Sequence, residues 1–161
     1  MPTIMYSKAL YEMFDGTITF PTETGLKIML LTSTYVPDQD DTVVDAGGAT
    51  DPIDAEINVG GTGYVGGFGG AGRKVIPPNL YQNNIQNRIQ LGFSSGLTWT
   101  GLGGNQTVAG AMLIRETGVD DTSTRLVSYF DINDFTTNGG DFTLNFLSAS
   151  GAAGGHFRFP V

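Results

Sequence analysis

Cysteine is absent from this chain, which excludes a disulfide framework, a thiolate metal site and a cysteine nucleophile together. Histidine occurs once, at His156. Charge is sparse: 15% of residues are charged, and 8 Lys and Arg stand against 16 Asp and Glu for a net charge of -8. An acidic chain is repelled by polyphosphate, because nucleic-acid affinity comes mainly from cations that displace counterions. No nucleic-acid partner is expected. Long apolar runs are missing too. None approaches the ~18 residues of a membrane-spanning helix, and the opening MPTIMYSKALYEMF lacks a basic leader. The expectation is a soluble chain with no export signal and no membrane partner.

What the chain does contain is glycine, 24 residues of 161. The length suits one domain over 1–161 that buries about two-thirds of its unfolded surface. One segment carries a helical period: Tyr6, Ala9, Leu10, Met13 and Phe14 share a face, and Asp15-Gly16 supplies the stop. GTITF and LKIMLLT follow as strands, the second apolar on both faces as a central strand should be. From 36 to 87 the chain loses periodicity and fills with glycine, proline and aspartate, so a long irregular insertion is predicted there. Such a length of coil inside a domain points to function or disorder.

The second half reads as successive strands, NRIQLGF, LTWT, TVAGAMLIR, RLVSYFD, DFTLNFL and HFRFP, separated by turn signals such as TGVDDTS and TTNGGD. In DFTLNFL, Phe142, Leu144 and Phe146 alternate with Thr143 and Asn145. The predicted fold class is all-β: an antiparallel β-sandwich, jelly-roll-like, with one short N-terminal helix and a long irregular Gly-rich segment.

No motif in the chain carries catalytic chemistry. GGTGYVGGFGGAG, over 60–72, contains a literal G-x-G-x-x-G at Gly61, Gly63 and Gly66. A dinucleotide site needs a strand before it, a helix opening at its end and an acidic residue about 20 positions on. The neighbouring segments provide neither element, and no acidic residue occurs between Glu56 and Arg115. The Walker pattern fails as well, because Gly67-x-x-x-x-Gly72 runs into Arg73-Lys74. His156 has no nucleophile elbow to serve. Asp38 to Asp41 lacks the glycine and the distal glutamate of a calcium loop and reads as an acidic turn. Asn105-Gln106-Thr107 has the form of a glycosylation sequon but reads as a turn. The chain is therefore expected not to be an enzyme and to hold no cofactor or metal.

The order of YSKALYEMFDGTITFPTETGLKIMLLTSTYVPDQDD, GGTGYVGG, LTWTG, AGAMLIRETG, LVSYFD and GGDFTLNF resembles a family of small virion structural proteins of tailed bacteriophages, the capsid decoration or cement proteins. The resemblance rests on the N-terminal helix, on Tyr35 to Asp40, on Gly61 to Gly67 and on Gly139 to Thr143, and it spans most of the chain. The glycine run after Tyr64 and the tail GAAGGHFRFPV depart from it. The resemblance implies a virion structural role without catalysis. Its form would be a protein on the outer surface of the head that binds the major capsid protein as a homo-oligomer, a trimer being favoured. The aromatics of the irregular segment, Tyr35, Tyr64, Phe68 and Tyr81, are the candidate interface anchors, because large rigid side chains dominate many interfaces. Core filling is the competing reading for each. The alternative function is a receptor- or carbohydrate-binding module of a tail or head fibre, with Trp99 stacking on sugar rings.

Overall fold

The computed structural model describes residues 3–20, 22–58, 63–83, 88–93, 96–145 and 157–160; the side chains of Thr3, of 78–93 and of 157–160 are not described. The fold is all-β, built from antiparallel sheets with two short helices.

The largest sheet has five strands in the order β1-β8-β7-β2-β3: Thr3–Met5, Arg125–Thr136, Thr107–Arg115, Leu26–Thr32 and Lys74–Val75. β2 and β7 pair from Leu26↔Arg115 to Thr32↔Val108. Leu26, Ile28 and Leu30 alternate along β2 with Met29 and Leu31, and all five are enclosed. Both faces of the sheet are therefore covered, as the apolar run of β2 predicts. A second sheet joins β10, β5 and β4, over Phe157–Pro160, Arg88–Phe93 and Pro78–Asn83. A two-stranded sheet pairs β6, Leu97–Leu102, with β9, Gly140–Leu144. One buried cluster runs from β2, β7 and β8 to Trp99, Leu102 and Leu144.

α1 spans Ser7–Phe14. Tyr6 and Ala9 are buried beneath it and Leu10 and Met13 are half-buried, but Phe14 is 82% exposed and Glu12 turns inward instead. At about 100° per residue, Glu12 stands on the Ala9 side of the helix and Phe14 lies beyond the opposite margin of the stripe. The Glu12 carboxylate sits 3.6 Å from Lys8 and 3.8 Å from Arg125.

The expected strand GTITF does not form. Asp15 Oδ1 accepts the Thr17 N–H at 2.8 Å, Thr19 Oγ1 donates to Gly16 O, and Gly16 takes a φ of 84° as the helix ends. These local bonds satisfy groups that a ladder would otherwise need. The Ile18 N–H returns to Glu12 O, which fixes Ile18 in the core.

The segment predicted as one irregular insertion over 36–87 holds α2 (Pro52–Ala55), β3 and β4, and much of its remainder seals the outer edge of β2. Ile76 N–H donates to Leu26 O and Ile57 N–H to Leu30 O, both at 3.0 Å, and Glu56 bridges Leu31. Between them, the Leu30 N–H donates to the phenol oxygen of Tyr64 at 3.1 Å. A short β3 and a phenol thus do the work of a full edge strand, and they leave no free ladder for another chain along β2.

Candidate functional site

Glycine geometry shapes the loop over 63–73. Phe68 and Gly69 form the corner of a turn closed by Gly70 N–H to Gly67 O at 2.9 Å, with Gly69 at φ 69° as a type II turn demands. A second bond, Gly72 N–H to Val65 O, narrows the base of the loop. At Gly72 a Cβ would fall 2.5 Å from the Tyr64 ring, so only glycine lets the ring lie flat on the backbone. The Trp99 indole N–H donates to Gly72 O at 2.6 Å from the other direction.

Arg73 follows the last glycine, and its side chain is fully enclosed. Its guanidinium forks onto Glu56, with Nε to Oε1 at 2.9 Å and Nη2 to Oε2 at 2.7 Å. Nη1 donates to Glu116 Oε2 at 3.1 Å and also to Asp121. Lys27 pairs with the other oxygen of Glu116. The Tyr64 hydroxyl donates to Glu56 Oε1 at 2.7 Å, tying this hub to the edge of β2.

The same carboxylates hold the tip of the loop. Gly67 N–H donates to Glu56 Oε2 at 2.8 Å, Phe68 N–H to Asp121 Oδ2 at 3.0 Å and Gly69 N–H to Glu116 Oε1 at 3.3 Å. Successive amides of this kind form the concavity that binds phosphate in nucleotide-binding loops. Here each is filled by a carboxylate of the protein, and Arg73 bonds to all three carboxylates from behind. The amides of 67–69 are therefore engaged internally.

Burial opposes the charge on Arg73, but its bonds to Glu56 and Asp121 more than offset this and raise its pKa. Burial likewise pushes the Glu116 carboxyl up, and Lys27 and Arg73 overcome that to hold it below the usual range. The Tyr64 phenol is raised well above its ordinary value, by burial first and by the Glu56 charge second. The arrangement is a fixed, internally bonded scaffold.

The four candidate anchors separate in the structure. Tyr64 is 1% exposed and Tyr35 is 5% exposed. Both are core residues, a correction to their role as contact anchors: each phenol is spent on internal bonds. Tyr35 lies 2.6 Å oxygen to oxygen from Tyr6, donates to Asp41 Oδ2 at 3.2 Å and meets the edge of the Tyr129 ring. Phe68 is 39% exposed at the tip of the loop. Tyr81 falls on β4, where the side chain lies outside the described residues, as does all of His156. Asp38 and Asp41 close a turn in the acidic stretch, and Asn105 occupies an exposed turn at φ 51°. Among the described residues, no group of three or more His, Cys, Asp or Glu could hold a metal ion.

Arg73, Glu56, Glu116 and Asp121 were not singled out by sequence patterns. The one available signal was a cation placed directly after a glycine run in a chain poor in cations. No protein-family profile, curated protein or solved structure matches this chain.

Proposed function

We propose that this protein is a non-enzymatic structural component of a bacteriophage virion, a decoration or cement protein that binds the outer surface of the head and stabilises the shell. Its sheets are read as a jelly-roll-like antiparallel sandwich, a reading supported by the single core that joins the five-stranded sheet to Trp99, Leu102 and Leu144. The partner is the major capsid protein, and the protein acts as a homo-oligomer, a trimer being favoured.

The observation that carries the reading is the stapled loop. Ordering a flexible loop costs about 1–2 kcal/mol per residue, and the Arg73 hub meets that cost within the free chain. Phe68 is then presented on a rigid support, which suits permanent binding to a repeated surface. The acidic net charge favours an outward position over contact with packaged DNA. The carbohydrate-binding alternative loses its platform, since Trp99 is enclosed and its indole N–H is bonded to Gly72.

Purified protein added to expanded capsids that lack it is expected to bind at stoichiometric occupancy and to raise their melting temperature. A ligand of the assembled state stabilises it by about 2.7 kcal/mol at a hundredfold excess over Kd. Absence of binding to such capsids would refute the proposal.

A further inference from the structure

We infer that the end of the molecule formed by the loops over 63–73 and 118–123 docks onto a basic protein surface, with Phe68 as its central anchor. The inference rests on the decoration-protein reading for the identity of the particle, but not for the chemistry of the contact.

Phe68, Val65 and Val119 are large apolar side chains left outside the core, Val119 at 83% exposure. The Phe68 N–H bond to Asp121 joins their loops, because Asp121 belongs to the turn that carries Val119. Asp45 approaches the same turn through its N–H to Asp121 O at 3.2 Å. Apolar side chains exposed on two loops bonded to each other mark an interaction surface.

Charge decides the occupant. Six cations have described side chains; Lys8, Lys27, Arg73, Arg115 and Arg125 pair with carboxylates of the chain, and Lys74 lies over the Trp99 ring. At this end, Arg73 and Lys27 face Glu56, Glu116 and Asp121, so the hub keeps one negative charge in excess. Exposed Asp120 and half-buried Asp45 add to it. A second copy presented by the same end would set acid against acid, and an anionic lipid surface or a nucleic acid is repelled for the same reason. A protein surface with an apolar socket rimmed by Lys and Arg fits.

The test places p-benzoylphenylalanine at position 68 of the full-length protein, made during infection, with the same substitution at exposed Phe14 as the control position. The expected crosslink from position 68 is to a partner segment rich in Lys and Arg, with little from position 14. Binding of the wild-type protein to that partner is expected to fall tenfold or more between 50 mM and 300 mM salt, and Phe68→Ser to weaken it at least tenfold while thermal unfolding of the free protein is unchanged. A crosslink to another copy of this chain, a neutral or acidic target, equal crosslinking from position 14, or none from position 68 would overturn the inference. If capsids do not bind the protein but position 68 captures a basic segment of some other protein, the decoration reading fails and the docking surface stands.

Discussion

At the scale of single residues, the pair Tyr64 and Phe68 separates two roles that glycine-rich surroundings make look alike. Four positions apart in the same loop, one fills the core and the other faces solvent. Tyr64→Ala is expected to destabilise the free protein by about 3–5 kcal/mol, the usual cost of deleting a buried aromatic ring. Phe68→Ala should change it by no more than about 0.5 kcal/mol, as at most surface sites. Urea denaturation of both variants decides, and equal losses would show Phe68 to be part of the core. Arg73 presents the sharper case. Arg73→Met leaves buried Glu56 and part-buried Glu116 and Asp121 without their shared partner, which costs about 3–5 kcal/mol where a buried pair such as that with Glu56 is broken from one side. Arg73→Lys should rescue little of it, because an ammonium cannot reproduce the fork onto Glu56. Full recovery with lysine would reduce the hub to a point charge.

At the scale of elements, the loop inherits a pH dependence from its hub. Glu116 titrates lower in the folded protein than in the unfolded chain, so as pH falls the unfolded state takes up the proton first and gains relative stability. This contribution is complete above the ordinary glutamate value of about 4.3 and is lost as pH falls through the lower folded value. Melting temperature measured from pH 7 to pH 3 should fall below about pH 4.3, and the fall should be shallower in Glu116→Gln, which starts less stable at pH 7. A profile identical in both would detach Glu116 from the stability of the loop. These same elements show what the sequence could reveal. β2, β7 and β8 were legible because an apolar run or an alternation is a local pattern. GTITF was misread because the bonds made by Asp15 and Thr19 outweigh strand propensity over so short a stretch. Beyond a cation placed after a glycine run, the hub was not legible, since Arg73 meets partners 17, 43 and 48 positions away, and no window of periodicity covers such distances. The sealing of β2 by a phenol escaped for a related reason: a side chain that replaces a backbone acceptor leaves no strand-like trace in the sequence.

The whole molecule is closed by contacts between distant parts of the chain: Lys27 meets Glu116 across 89 positions and Arg115 meets Glu23 across 92. Loop closure must precede such contacts, so refolding is expected on a scale of about milliseconds to seconds, as for other all-β domains. Trp99, the one tryptophan, is enclosed and bonded to Gly72, so its fluorescence in a stopped-flow refolding experiment reports core and loop together. A microsecond phase carrying the full amplitude would contradict this.

The hub also has a mechanical meaning. A pull applied at Phe68 travels through the amides of 67–69 to Glu56, just after α2, and to Glu116 and Asp121, both in the connection between β7 and β8, with Glu116 directly following the central strand β7. Arg73 ties those anchor points together in parallel, so the load divides among them before any one ladder is sheared. The loop is built as a tether whose tip can be strained without unzipping the sheet beneath it.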